Sequence, residues 1–366
     1  VLNTTIVFTA LTSAADRAIT LTHMARHRKP DKIGQAQASA VDLPRVEHAL
    51  QGLGYGFATE FDRIVIGAYD YIATVWIDYS APHALVIDSE GRVPLDLDYA
   101  SQLAEALDRW NQERIGPTVS YRLTAAGNIS VRARTATWIK HGLSDDQLLT
   151  FLASSMNALG TFAHEFREEL ELDDDALTVP ETLVTEQDYA ALHGRHPHSR
   201  HLPADEEIGV YAVPDEAVIA EHEPIDEFVG EHITEPLTQL EFSYTEGEDG
   251  IVSTAVNGVG FALCVDGGAF FRVTGGWITE FDPQSDFLDL WLACNEHNES
   301  AVGTTAYTRM EEGVMLLHLE AAVNITDGMA LDQRSHFVIS ALVSILGAMD
   351  SLSKQTQGTT IVQWPH

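Results

Sequence analysis

The strongest constraint on this chain is an internal repeat. Tyr121–Leu159 (YRLTAAGNISVRARTATWIKHGLSDDQLLTFLASSMNAL) lies over Tyr307–Ile345 (YTRMEEGVMLLHLEAAVNITDGMALDQRSHFVISALVSI) without a gap, at an offset of 186. Gly127 then falls on Gly313, Gly142 on Gly328, Asp146-Gln147 on Asp332-Gln333 and Phe151 on Phe337. Upstream, Ala73–Asp78 (ATVWID) parallels Phe261–Asp266 (FALCVD), and Asn111 parallels Asn295 near the end of a helix. Turn glycines followed by the same helical phase of apolar residues mean one supersecondary unit used twice. A chain of 366 residues has room for two such units, each able to bury a core.

Local patterns give the content of the unit. A short helix comes first (Pro44–Leu53; Ile225–Leu237), then alternating segments at Arg63–Ile66, Tyr71–Tyr79 and Ala84–Asp88. Asp88-Ser89-Glu90-Gly91 reads as a hairpin turn. An amphipathic helix over Tyr99–Arg114 places Leu103, Ala106, Leu107 and Trp110 on one face. Two strands follow, joined at Ala126-Gly127. A closing helix over Ser144–Leu170 starts from a Ser-x-x-Gln capping box and carries Leu148, Phe151, Leu152, Leu159 and Phe162. The predicted fold is α+β: two tandem α-β-β-β-α-β-β-α modules, each an antiparallel sheet packed with helices. The modules span residues 41–172 and 225–354. An N-terminal extension (1–40), a linker (173–224) and a tail (355–366) complete the chain. The linker carries 13 acids, five prolines and five histidines against two arginines, the composition of an irregular segment. The start, Val1–Ala15, is apolar without a positive region before it, a poor signal peptide.

That element order resembles the YbjN family. So do the helix ending Arg109-Trp110-Asn111, the strand pair around Gly127, and the helix after Gly142-Leu143-Ser144-Asp145-Asp146. The second unit is the more divergent, with Ala293 or Cys294 at the position of Trp110. The resemblance implies a fold like that of type III secretion chaperones, a cytoplasmic setting, and a role in sensory transduction, regulation or partner binding. It brings no catalytic residues.

Composition narrows the partners. Fifty-five acids against 21 Lys plus Arg give a formal charge of -34, with four lysines in all. Nucleic acid and anionic membranes are bound through clustered cations, so neither is an expected partner, whereas a protein or peptide is. Cys264 and Cys294 sit in apolar runs and read as buried free thiols. No apolar run is long enough to span a membrane.

Chemistry is thin. His193, His196, His198 and His201 offer nitrogen ligands, but their spacing fits no closed metal site and two arginines intervene. Gly52-Leu53-Gly54-Tyr55-Gly56 lacks the strand before and long helix after of a phosphate-binding turn. No catalytic residue and no cofactor is expected. Tyr69, Tyr71 and Trp76 in the first unit, with Phe270, Phe271 and Trp277 in the second, are the candidate partner-binding aromatics. The expected function is a protein- or peptide-binding regulator or chaperone-like protein, its modules paired as an internal pseudo-dimer. The alternatives are an enzyme with a site at the module interface and a structural scaffold with a degenerate second module.

Overall fold

The structure, a computed structural model, describes residues 36–68, 70–80, 82–92, 94–172, 224–283 and 285–364. The first half runs α1 (Leu43–Gly52), β1 (Ala58–Thr59), β2 (Arg63–Gly67), β3 (Tyr71–Asp78), β4 (Ala84–Gly91), α2 (Ala100–Glu113), β5 (Thr118–Leu123), β6 (Ile129–Trp138) and α3 (Asp145–Glu169). The second half repeats the order as α4 (Glu231–Gln239), β7 (Tyr244–Glu246), β8 (Val252–Val256), β9 (Val259–Asp266), β10 (Phe270–Ile278), α5 (Phe287–Ser300), β11 (Thr305–Glu311), β12 (Val314–Asn324) and α6 (Leu331–Gln357). Each half builds a six-stranded sheet, β1-β2-β3-β4-β6-β5 and β7-β8-β9-β10-β12-β11, with every pairing antiparallel. The α+β architecture is as expected, with one further short edge strand, β1 or β7, in each sheet.

Strand alternation decides what is buried where. In the first sheet Ala73, Val75, Leu85, Ile87, Ile129 and Val131 face a core completed by Leu148, Leu152 and Leu159 of α3, Val46 and Leu50 of α1, and Leu103 and Leu107 of α2. Burying each Leu or Ile contributes roughly 2 kcal/mol. The second sheet does the same with Phe261, Leu263, Phe271, Val273, Leu317 and Leu319 against Val338, Leu342 and Ile345 of α6. The capping box forms as the sequence predicts: Ser144 Oγ accepts from Gln147 N at 3.1 Å, and Gln147 Oε1 accepts from Ser144 N at 2.9 Å. Helix α6 is apolar enough along its length to cross a membrane, but 56% of that stretch is buried within the fold. Its apolar residues are those of a central core helix.

The Asp88–Gly91 turn does not form. Those residues continue β4, with Asp88 paired to Arg134 and Glu90 to Arg132 on β6. Asp88 and Glu90 are buried on the sheet face away from the core. There Arg134 reaches Asp88 at 3.0 Å, Arg132 also contacts it, and Glu90 accepts from Ser130. The turn expectation failed because acids flanking a glycine look solvated. Their compensating cations lie some 40 residues along the chain. In the second sheet the polarity reverses: Arg272 on β10 bridges Asp266 at 3.1 Å and Glu320 at 3.8 Å.

Gly142 and Gly328 show why the repeat preserves them. Both have positive φ, 70° and 77°. A Cβ on either would collide with the backbone of an incoming segment, at Ser39 and at Asp226 respectively. Those segments make equivalent antiparallel bridges, Ser39 to Leu143 and Asp226 to Met329.

Candidate functional site

The two halves meet through equivalent elements. Helix α5 packs on β5, and α2 packs on β11. Asn295 of α5 grips the backbone of Tyr121, accepting from its N–H and donating to its C=O, both at 2.8 Å. Asp108 of α2 stands in the same relation to Thr308, accepting from its N–H at 3.0 Å and its hydroxyl at 2.7 Å. Gln112 donates to the Thr308 carbonyl at 2.9 Å. Thr118 and Thr305, which start β5 and β11, touch hydroxyl to hydroxyl. At the starts of α3 and α6, Gln147 and Gln333 bond each other at 3.0–3.1 Å. Each also donates across to the other half, Gln147 to the Gly328 carbonyl at 2.8 Å and Gln333 to the Gly142 carbonyl at 2.9 Å. Equal positions of the two halves thus meet one another, with reciprocal pairs on either side.

This geometry corrects the gapless alignment. Thr118 pairs with Arg134, and Thr305 with Glu320, so β5 and β11 correspond at an offset of 187, while β6 and β12 correspond at 186. The β11–β12 turn is one residue shorter. Tyr121 is therefore equivalent to Thr308, not Tyr307. The slip puts the tyrosines on opposite faces: Tyr121 lies against Trp291 at 5.4 Å, while Tyr307 stacks on His318 and donates to Glu320. The offset of 187 also holds in the preceding helix. Asn111 matches Asn298, since both hold the strand after them, at Val119 and at Ala306. Asn295 matches Asp108. Trp110, which donates to the Pro117 carbonyl at 3.1 Å, corresponds to His297, 3.1 Å from Thr304 Oγ, and not to Ala293 or Cys294.

Burial tunes the ionisable groups at this junction. Desolvation raises the Asp108 carboxyl from 3.8 to about 6, against the lowering effect of its bonds to Thr308. Burial lowers His297 to about 4 and holds the Cys294 thiol well above 9. His336 of α6 falls to about 4 by burial and by the nearby His141, Lys140 and His83.

A second feature is a cavity of about 110 Å³ between the end of α3 and the first sheet. Its walls include Val131, Ala133, Leu159, Phe162 and Phe166, with Ser89 and Gly91 on β4. Tyr71 borders it, its hydroxyl 3.5 Å from the Met156 carbonyl, and burial pushes that phenol up to about 12. At the rim Arg167 pairs with Asp70, and Arg92 donates to the Ala68 carbonyl at 2.8 Å.

The candidate aromatics fare differently from one another. Tyr71, Phe271 and Trp277 point into the cores, and Trp76 is buried in a small cluster with Ala84 and Val86 on the outer face of the first sheet. Tyr71, Phe271 and Trp277 face a helix layer and Trp76 is enclosed by Ala136, Trp138 and Val302, so these four are interior residues. Phe270 is half-buried at the start of β10. Tyr69 and the four histidines His193, His196, His198 and His201 lie outside the described residues. Among the described residues no group of three His, Cys, Asp or Glu side chains is placed to hold a metal ion. Large apolar side chains that are exposed include Leu288 and Leu292, one turn apart on α5, and Leu123 and Met310 on β5 and β11. On α5 the core leucine is Leu290, and the helical period turns Leu288 and Leu292 away from the face that Leu290, Trp291 and Cys294 bury.

The fold and junction define a two-module α+β chain with antiparallel sheets. The comparisons give the more particular likeness. Residues 42–168 match the model of the YbjN family, described as "Putative bacterial sensory transduction regulator". A solved structure, "Crystal structure of YbjN, a putative transcription regulator from E. coli", is similar at 14% identity with a TM-score of 0.33, covering 38% of this chain and 99% of that one. No curated protein matches.

Proposed function

We propose that the chain is a non-catalytic regulator that binds a protein or peptide, and that its two modules act as an internal pseudo-dimer. The observation that carries this reading is the reciprocal junction: Asp108 with Thr308, Asn295 with Tyr121, and Gln147 with Gln333. A fused dimer fixes both copies in one orientation and frees one of them to diverge. The family match over residues 42–168 supports a regulatory role for the first module. The second module is proposed to be a diverged copy of the same family, working in the cytoplasm.

Divergence also suggests where a partner docks. Leu288 and Leu292 are 53% and 40% exposed on α5, where α2 carries the polar, exposed Ser101 and Glu105 at the equivalent positions. An unpaired Leu pair beside a junction residue, Trp291, is suited to an apolar anchor, and the net charge of -34 favours a basic sequence around it. The test is crosslinking capture with the full chain and with a Leu288→Glu/Leu292→Glu variant in parallel. The reading expects one protein crosslinked to α5 in the wild type and lost in the variant. Identical capture by both forms counts against it.

A further inference from the structure

The cavity in the first module has a filled counterpart in the second. Strand pairing makes Ala73, Ser89, Gly91 and Ala133 equivalent to Phe261, Gly275, Trp277 and Leu319. In the second core Phe261 is fully buried, Trp277 is 8% exposed, and Ile345 presses against Gly275. Phe162 on α3 stands where α6 has Ala348, and so returns part of the missing volume. About 110 Å³ still remains open. Backbone strain does not impose the glycine at position 91. A Cβ there would meet nothing closer than the Val131 carbonyl at 3.8 Å.

We propose that this cavity binds a small uncharged aromatic molecule of about the size of indole. The same architecture already seats an indole at this place in the second module, as the side chain of Trp277. An enclosed apolar cavity of roughly 150 Å³ takes up a benzene ring, so the smaller space here would seat one ring of the ligand, with the remainder towards the rim at Arg92 and Arg167. The walls a ring would touch, Val131, Ala133, Leu159, Phe162 and Phe166, are apolar and favour an uncharged ligand, while at the rim Arg167 is engaged by Asp70 and Arg92 donates to the Ala68 carbonyl. Ser89 donates its hydroxyl proton to the Ala133 carbonyl at 3.0 Å, and its oxygen remains an acceptor for a ring N–H. The ligand would bridge β4 and the end of α3, joining elements that lack the side-chain contacts found in the second module. This site is independent of the protein-binding reading, since either can fail without the other.

The experiment titrates 5-fluoroindole into the full-length chain and follows the ¹⁹F resonance, with unlabelled indole as competitor. Two variants fill the cavity as the second module does, Gly91→Trp and Ala133→Leu, and far-UV circular dichroism checks that each is folded. The proposal expects saturable, competable binding to the wild type, weakened at least ~tenfold in either folded variant. The absence of saturable binding to the wild type overturns it. So does unchanged affinity in the folded variants, which would place the ligand elsewhere.

Discussion

Replacing Asp108 with Asn should stabilise this protein at neutral pH, although the carboxylate makes two hydrogen bonds. Asp108 is 7% exposed and accepts from the N–H and hydroxyl of Thr308. Desolvation nonetheless raises its carboxyl from 3.8 to about 6, so the folded state holds a proton that the unfolded state has already released. Between pH 4 and 6 the native state binds more protons than the unfolded one, and stability falls as pH rises. Above 6 the loss is complete. A shift of ~2 units at ~1.4 kcal/mol each gives a penalty of about 3 kcal/mol at pH 7. An asparagine keeps both contacts, with Oδ1 accepting from the N–H and Nδ2 donating to the Thr308 hydroxyl. Asn295 performs the equivalent task in the other module. The assay is urea denaturation of wild type and Asp108→Asn from pH 3 to 8. Taking the difference between the two cancels the contribution of the other carboxylates. The difference should be near zero at the acid end, grow through pH 4–6 and level off in favour of Asn. A flat difference, or a less stable variant at pH 7, would refute the reasoning.

Other perturbations probe the same junction. Gln147→Ala and Gln333→Ala should each cost about 1–3 kcal/mol in chemical denaturation, and the double variant less than their sum, because each leaves the other's amide partly unpaired. His297, lowered to about 4 by burial, is neutral when folded, so its contribution is full above 6.5 and is lost as pH falls towards 4, at ~1.4 kcal/mol per unit. His297→Gln should flatten that limb of the stability profile, which runs opposite to the Asp108 limb and is partly masked by it in the wild type. The Cys294 thiol, buried and held well above 9, should react with a thiol reagent only as fast as the chain unfolds.

The sequence carried the architecture further than the site. Gly142 and Gly328, the capping Gln147 and the phase of α3 were legible because local rules govern them: a positive φ, a helix N-terminus, a 3.6-residue period. The register of β5 against β11 was not, because a one-residue difference in a turn leaves the composition of both strands unchanged while exchanging their faces. Tyr121 and Tyr307 are identical residues with unrelated surroundings. Of the candidate partner-binding aromatics, Tyr71, Trp76, Phe271 and Trp277 are buried, since a strand residue reads the same whether a helix or a partner covers it. Asp88 and Glu90 misled for the related reason that Arg132 and Arg134 are distant in sequence. The cavity was visible only as a difference between copies, Gly91 against Trp277 and Ala133 against Leu319, once strand pairing had aligned them.

The central claim is that equal positions of the two modules meet on one axis, and a Thr118→Cys/Thr305→Cys double variant tests it most directly. The two hydroxyls are in contact, which leaves the side chains within reach of a disulfide. On mild oxidation the account predicts a bond between residues 118 and 305 within one chain, read by peptide mass spectrometry, with the protein still monomeric in light scattering. Failure to form that bond, or its formation only between chains, would contradict the internal pseudo-dimer.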